Sequence, residues 1–197
     1  MSTHSVVVHR VLSAEQAERR DRVIQAAMEL ADAGGYDAVV MKTVAERSGV
    51  ALATLYRWFA SKDHLLTEVL LAWGSDLSAD LADAPLIASD PVARVSGALR
   101  QIMVTAASRP RLAEAIVAAV LTVEPAVFEA QNDFHTMVVA WIDIALGDDD
   151  LPDREEVVEV LELVCFSTII GLVSGRDTAE TAGDKLETAA RLLIRTA

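Results

Sequence analysis

The residues whose types and spacing could do chemistry are concentrated in one stretch of the chain, between Thr43 and Lys62. Apolar residues recur there at the spacing that locks two short helices together at a steep angle, with Gly49 in the turn between them. This small core consists of Val44, Ala45, Val50, Leu55 and Phe59. The side chains left on the outer face or its edge are Leu52, Ala53, Thr54, Tyr56 and Arg57. Such a face fits the major groove of DNA, which is about 12 Å wide and accepts one helix.

Sequence patterns for bond-making chemistry are absent. The sequence has no Glu-x-x-His pair for a di-metal centre, no His-Glu-x-x-His, no Gly-Lys-Ser/Thr phosphate loop and no Gly-x-Ser-x-Gly. The single cysteine, Cys165, allows neither an intrachain disulfide nor a multi-cysteine metal site. We expect a protein that is not an enzyme and has no cofactor or metal. The alternative is a helical-bundle lipid carrier or enzyme whose N-terminal helices are only structural.

The charge distribution is compatible with DNA despite a net charge of −13. Residues 1–66 hold eight Lys or Arg and eight Asp or Glu, so this third of the chain is neutral. The excess acid lies in residues 67–197, where nine basic residues face 22 acidic ones. A neutral module can place its cations on one face, while the acidic remainder stays away from the phosphates.

The elements that hold the candidate face are expected to be helices. Hydrophobic residues make up 52% of the chain, with only 9 Gly and 5 Pro, which predicts an all-α protein of about nine helices. The predicted helix boundaries are a Ser13–Gln16 capping box, a stop at Gly34-Gly35, a cap at Ser61, and helix starts at Asp90-Pro91, Pro110 and Pro125. We divide the chain into a DNA-binding domain, residues 1–60, and a helical ligand-binding and dimerisation domain, residues 61–197.

The stretch from Ala45 to Lys62 resembles the signature of the TetR family of transcriptional regulators. In that family an "AxxxGV" helix and turn lead into "TLYxxFxSK". The matching residues are Ala45, Gly49, Val50, Thr54, Leu55, Tyr56, Phe59, Ser61 and Lys62. The resemblance implies a helix-turn-helix repressor that binds a pseudo-palindromic, double-stranded DNA operator as a homodimer and is released by a small apolar effector.

The same resemblance implies particular DNA contacts. Thr54, Tyr56 and Lys62 would bind phosphates, and Lys42 would approach the backbone from the second helix. Two positions depart from the family pattern: Ala51 and Leu52 replace a hydroxyl cap and a polar residue. Leu52 could instead touch thymine methyl groups.

Other predicted contacts and a subgroup follow from shorter matches. Arg19 and Arg20 could bind phosphates or simply solvate a helix face that also carries acids. Together with Ala51-Leu52-Ala53 and Gly34-Gly35-Tyr36, they resemble the TetR-like repressors that control steroid and cholesterol catabolism. That similarity implies an acyl-CoA thioester of a steroid or another bulky lipid as the inducer.

Bulky apolar residues in the second domain are candidates for an adaptable cavity, although each alone is more often core than pocket. They are Trp73, Leu77, Met103, Ile116, Val120, Phe134, Met137, Trp141 and Phe166.

The last two helices carry apolar faces with small residues that allow close helix approach. These faces comprise Val157, Leu161, Val164 and Thr168, then Leu186, Ala190 and Leu193. The resemblance implies that they pair with a second copy in a four-helix bundle, and the alternative is an intramolecular core.

We expect a cytoplasmic protein that does not enter membranes. The N-terminus, Met1 to Leu12, carries a short Val6-Val7-Val8 run without a longer apolar region, and the stretch from Leu163 to Val173 is too short to span a bilayer.

Overall fold

A computed structural model describes residues 13–83, 90–149 and 151–195. Within these ranges the chain forms nine α-helices and no strand, which confirms the predicted all-α class. The helices are α1 (Ala14–Gly34), α2 (Met41–Ser48), α3 (Leu52–Trp58), α4 (Lys62–Asp83), α5 (Pro91–Ser108), α6 (Pro110–Val120), α7 (Pro125–Leu146), α8 (Arg154–Val173) and α9 (Ala179–Leu193). A short 3₁₀ turn, Tyr36–Ala38, joins α1 to α2.

Local sequence signals set most helix boundaries. Ser13 and Gln16 form the predicted capping box at the start of α1. Asp90 caps α5 by accepting hydrogen bonds from two backbone amides, and a proline occupies the first turn of α5, α6 and α7. Gly49 ends α2 with φ of 69°, a left-handed conformation that glycine adopts without a steric penalty. Gly49 therefore permits the sharp turn into α3.

Two apolar clusters organise the packing. The first joins α1, α2 and α3 to the beginning of α4 and to one face of α6, with Leu55, Phe59, Leu66 and Leu112 fully buried. The second joins the later part of α4 to α5, α7, α8 and α9. Because α4 contributes Leu70 to one cluster and Leu77 to the other, it connects the DNA-binding helices to the larger bundle. The predicted boundary between the two domains, at residues 60 and 61, stays a prediction.

The Val6-Val7-Val8 segment lies outside the described residues. Among the helices that are described, none combines the length and the hydropathy needed to cross a bilayer.

Candidate functional site

The helix-turn-helix core forms as the spacing predicts. All five residues expected inside it, namely Val44, Ala45, Val50, Leu55 and Phe59, are buried. The opposite side of α3 faces outward: Tyr56 is 52% exposed and Leu52 37%, and both Ala53 and Arg57 are exposed. Thr54 is half-buried at the edge of this face. These five residues, 52, 53, 54, 56 and 57, are called the α3 face below.

Both short helices begin without a side-chain cap. Val40 precedes α2 and Ala51 precedes α3, and neither side chain can accept a hydrogen bond from the first-turn amides. Those amide groups keep their capacity to bind water or an external acceptor.

Several basic side chains near the α3 face are open to solvent. The Lys42 side chain is 77% exposed, and its Nζ lies 3.9 Å from Glu46 Oε1. Arg19 forms an exposed pair with Glu15 one turn earlier in α1. Exposed pairs of this kind contribute little to stability and exchange easily for another anion. Arg57 makes no ion pair with any residue in the described ranges.

Arg20, a predicted phosphate ligand, is engaged within the protein. Its guanidinium lies 2.7 Å from Glu68 Oε2 of α4 and stacks 5.2 Å from the centroid of the Phe59 ring. Burial raises the pKa of Glu68, but hydrogen bonds from His64 and Arg20 outweigh this effect and leave the pKa below its ordinary value. Arg20 thus binds α1 to α4, and the sequence could not show this because the partner is 48 positions away.

Lys62 is held against the turn between α1 and α2. Its Nζ lies 3.4 Å from the centroid of the Tyr36 ring and donates a hydrogen bond to the Tyr36 carbonyl oxygen at 3.3 Å. The Tyr36 hydroxyl in turn donates to Asp63 Oδ1 at 2.5 Å.

Two further hydrogen bonds fasten the start of α4 to the connection between α6 and α7. Ser61 Oγ donates to Glu124 Oε2 at 2.6 Å, and Thr122 Oγ1 donates to Asp63 Oδ2 at 3.1 Å. Ser61 also accepts from the His64 amide at 3.0 Å, which confirms its predicted cap role. The contacts to 122 and 124 join residues about 60 positions apart, so no local pattern could reveal them.

A cavity lies between α4, α5, α6, α7 and α8, with about 620 Å³ of space between atoms, part of it open to solvent. The wall includes seven of the nine predicted residues: Trp73, Leu77, Ile116, Val120, Phe134, Trp141 and Phe166. The other wall residues are Leu70, Gly74, Ile102, Thr105, Ala106, Ala113, Val117 and Ile169, so no side chain of the wall carries a charge.

Met103 and Met137 were predicted in this wall but lie outside it. Met103 is fully buried in the second cluster, and Met137 packs against it half-buried. A Cβ added to Gly74 would overlap Met137 Cε, so the missing side chain leaves room on α4 for the end of the Met137 side chain. Helical periodicity marks both methionines as inward-facing but does not separate packed core from cavity wall.

The predicted dimerisation faces of α8 and α9 are largely internal. Val157, Leu161, Thr168, Leu186 and Ala190 are buried within the protomer, and Val164 and Leu193 are half-buried. The alternative of an intramolecular core therefore holds for the first five. The apolar residues that α8 and α9 do expose are Val160, Leu163 and Leu192. The predicted dimerisation faces are buried because the small-residue face of each helix packs against α5 and the other helices of its own bundle.

Comparison with known proteins places this geometry in a family. The profile described as "Bacterial regulatory proteins, tetR family" matches residues 23–69, which contain the whole helix-turn-helix. The chain is 30% identical over 198 aligned positions to the HTH-type transcriptional repressor KstR of Mycolicibacterium smegmatis, covering 100% of this chain and 97% of that protein. It is 31% identical over 180 positions to KstR of Rhodococcus jostii, covering 91% of this chain and 84% of that protein.

A solved structure shares the architecture. The crystal structure of a TetR transcriptional regulator from Rhodococcus sp. RHA1 superposes with a TM-score of 0.81 and 28% identity, covering 91% of this chain and 97% of that one. Proteins of this kind are transcriptional regulators and not enzymes, so the alternative of a helical-bundle carrier or enzyme is set aside. With a relative 30% identical over nearly its whole length, the chain belongs to the TetR family of bacterial transcriptional regulators.

Proposed function

We propose that this regulator is a homodimeric repressor that binds a pseudo-palindromic operator through the α3 face and is released by an apolar effector. The observation that carries the proposal is the α3 face itself, which is exposed on a helix whose other side is fixed by Leu55 and Phe59. A rigid, solvent-facing helix of this kind suits insertion into a major groove. The repressor part of the proposal also draws on the relatives named as repressors.

The proposed contacts divide into two groups. Leu52 and Ala53 would read base edges, chiefly thymine methyl groups, and Arg57 would lie at the border of the groove. Thr54, Tyr56, Lys62, Lys42 and Arg19 would bind phosphates, which fix the register of the protein but carry no sequence information.

The proposed dimer uses α8 and α9 through their exposed residues. Leu163 is 58% exposed and Val160 40%, one helical turn apart on α8, and Leu192 is 63% exposed near the end of α9. A two-fold axis through this surface would bury all three residues in both copies. The two α3 faces must then lie roughly 34 to 36 Å apart, or slightly further, to enter successive major grooves.

The proposed effector occupies the apolar cavity. Burying its hydrocarbon surface there would be favourable by about 25 cal/mol for each Å² removed from water. A steroid or lipid acyl group fits such a wall, whereas the phosphates of an acyl-CoA would have to remain outside it because the wall has no cation.

Helix α6 is the proposed link between the effector and DNA. It supplies Ala113, Ile116, Val117 and Val120 to the cavity wall. At its beginning, Arg109 pairs with Asp32 of α1 at 3.2 Å, and just beyond its end Thr122 and Glu124 hold the start of α4. An effector that binds more tightly when α6 is displaced would shift the population away from the DNA-binding state.

A selection experiment tests the proposal. Duplexes of random sequence are selected with the full chain, and the winning duplex is then used to screen sterols, fatty acids and acyl-CoA thioesters for release. We expect an inverted repeat with half-sites about one turn apart, and release by at least one apolar compound. Recovery of no preferred sequence would contradict the proposal. A DNA-binding role also agrees with the cytoplasmic location that we expect.

A further inference from the structure

The ammonium group of Lys62 is held by two contacts within the protein. Its Nζ contacts both the ring face of Tyr36, at 3.4 Å from the centroid, and the Tyr36 carbonyl oxygen, at 3.3 Å. A lysine ammonium has three N–H donors, so one remains for an acceptor outside the protein. The two contacts hold a long side chain that would otherwise sample many rotamers.

Tyr36 is itself fixed by contacts at the other end of its ring. Its hydroxyl donates to Asp63 Oδ1 at 2.5 Å, and Asp63 Oδ2 accepts from Thr122 Oγ1 at 3.1 Å. Burial, followed by the hydrogen bond to Asp63, raises the pKa of Tyr36 to about 12. The phenol therefore stays protonated at neutral pH and keeps donating its hydrogen bond to Asp63. Asp63, itself held by Thr122, thus fixes the hydroxyl end of the ring.

We propose that Tyr36 is a positioning residue that orders the Lys62 ammonium for a DNA phosphate, and that Asp63 and Thr122 fix the Tyr36 ring for this role. This inference rests on the proposed phosphate contact of Lys62 and adds a requirement for a residue outside the helix-turn-helix. A lysine that is already ordered loses less side-chain entropy when it binds a phosphate than one that is free. The ring face of tyrosine attracts a cation without neutralising its charge, so the ammonium keeps its attraction for phosphate.

The competing interpretation is structural. The Lys62–Tyr36 contact could serve only to hold the turn between α1 and α2 against α4. In that case, changes at Tyr36 would weaken DNA binding through the whole fold, whether or not Lys62 is present.

A double-mutant cycle separates the two interpretations. Dissociation constants for the selected duplex are measured over a salt series with the wild type, Lys62→Ala, Tyr36→Leu and the double variant. We expect each single variant to bind roughly 3- to 10-fold more weakly, and the slope of log affinity against log salt to fall by about 0.9 when Lys62 is removed. If Tyr36 acts through Lys62, the double variant binds no more weakly than Lys62→Ala. Effects that multiply would overturn the inference.

A second cycle covers the case in which Tyr36→Leu does not fold. Tyr36→Phe keeps the ring and the carbonyl group but loses the bond to Asp63, and Thr122→Val removes one donor from the same chain of hydrogen bonds. We expect each single variant to bind the duplex about two- to threefold more weakly than the wild type. The double variant should bind no more weakly than Tyr36→Phe alone. Independent effects, or no effect of either, would overturn the inference.

The outcomes also separate this inference from the proposed function. If the wild type selects no duplex, the proposed function fails and the inference fails with it. If the duplex is bound selectively but the Lys62 and Tyr36 effects multiply, only the positioning role of Tyr36 is refuted.

Discussion

The hydroxyl of Ser61 donates a hydrogen bond to Glu124 Oε2 at 2.6 Å, across 63 positions of the sequence. The same hydroxyl accepts a hydrogen bond from the His64 amide at 3.0 Å, so one side chain caps α4 and ties it to the connection after α6. Ser61, which precedes α4, therefore joins the start of that helix to the connection that follows α6.

Ser61 and Glu124 should differ in their contribution to stability. Ser61→Ala removes both the cap and the bond to Glu124, and we expect it to lower the free energy of unfolding by about 1 to 2 kcal/mol. Glu124→Ala removes only the hydrogen bond from Ser61 and should lower the free energy of unfolding by less than half as much. Urea denaturation measures both values. Equal losses in the two variants would show that the cap contributes nothing.

A glycine pair tests the close approach of α4 and α7. Gly74→Ala places a methyl group where the flexible end of Met137 lies, so Met137 must move and the variant should gain less stability than alanine gives at an open helical site. Gly97→Ala is the matched control, because nothing lies within 4 Å of its added Cβ on the exposed side of α5. The control should raise the free energy of unfolding by up to about 1 kcal/mol, because alanine has a higher helix propensity than glycine. Thermal unfolding measures the stability of both variants, and equal stabilisation by Gly74→Ala and Gly97→Ala would refute the close contact.

Stability should depend on the ionisation of Glu68. Its pKa is lower in the folded protein than in the unfolded chain, so its contribution is complete above the ordinary glutamate pKa, about 4.3, and is lost as the pH falls through the lowered value. We expect Glu68→Gln to destabilise the protein at neutral pH, by an amount that shrinks below about pH 4. The exposed Glu114→Gln is the control. A loss that stays constant with pH would contradict the ion pair with Arg20 and His64.

The exposed residues of α8 define the expected dimer surface. Leu163→Glu should produce a monomer in analytical ultracentrifugation, because it places two charges on a buried two-fold interface. Val104→Glu, at an exposed apolar site on α5, should leave the dimer intact. A dimer in both variants would remove α8 from the interface.

Local features of the fold could be predicted from the sequence, whereas contacts between distant parts could not. Gly49, Leu55 and the Ser13–Gln16 box are set by neighbours within one or two turns, and each has the predicted structure. The pairing of Arg20 with Glu68 could not be predicted because Glu68 comes from another helix. Apolar periodicity on α8 predicts a packed face but not what packs on it, which for Val157, Leu161 and Thr168 is the protein's own bundle.

The central claim, that the α3 face binds duplex DNA, is tested most directly by the affinity of Tyr56→Ala for the selected duplex. Tyr56 is 52% exposed, so its truncation should leave thermal stability nearly unchanged. The account predicts that the variant binds at least about tenfold more weakly than the wild type at the same salt concentration. Unchanged affinity in a stable, dimeric variant would contradict it.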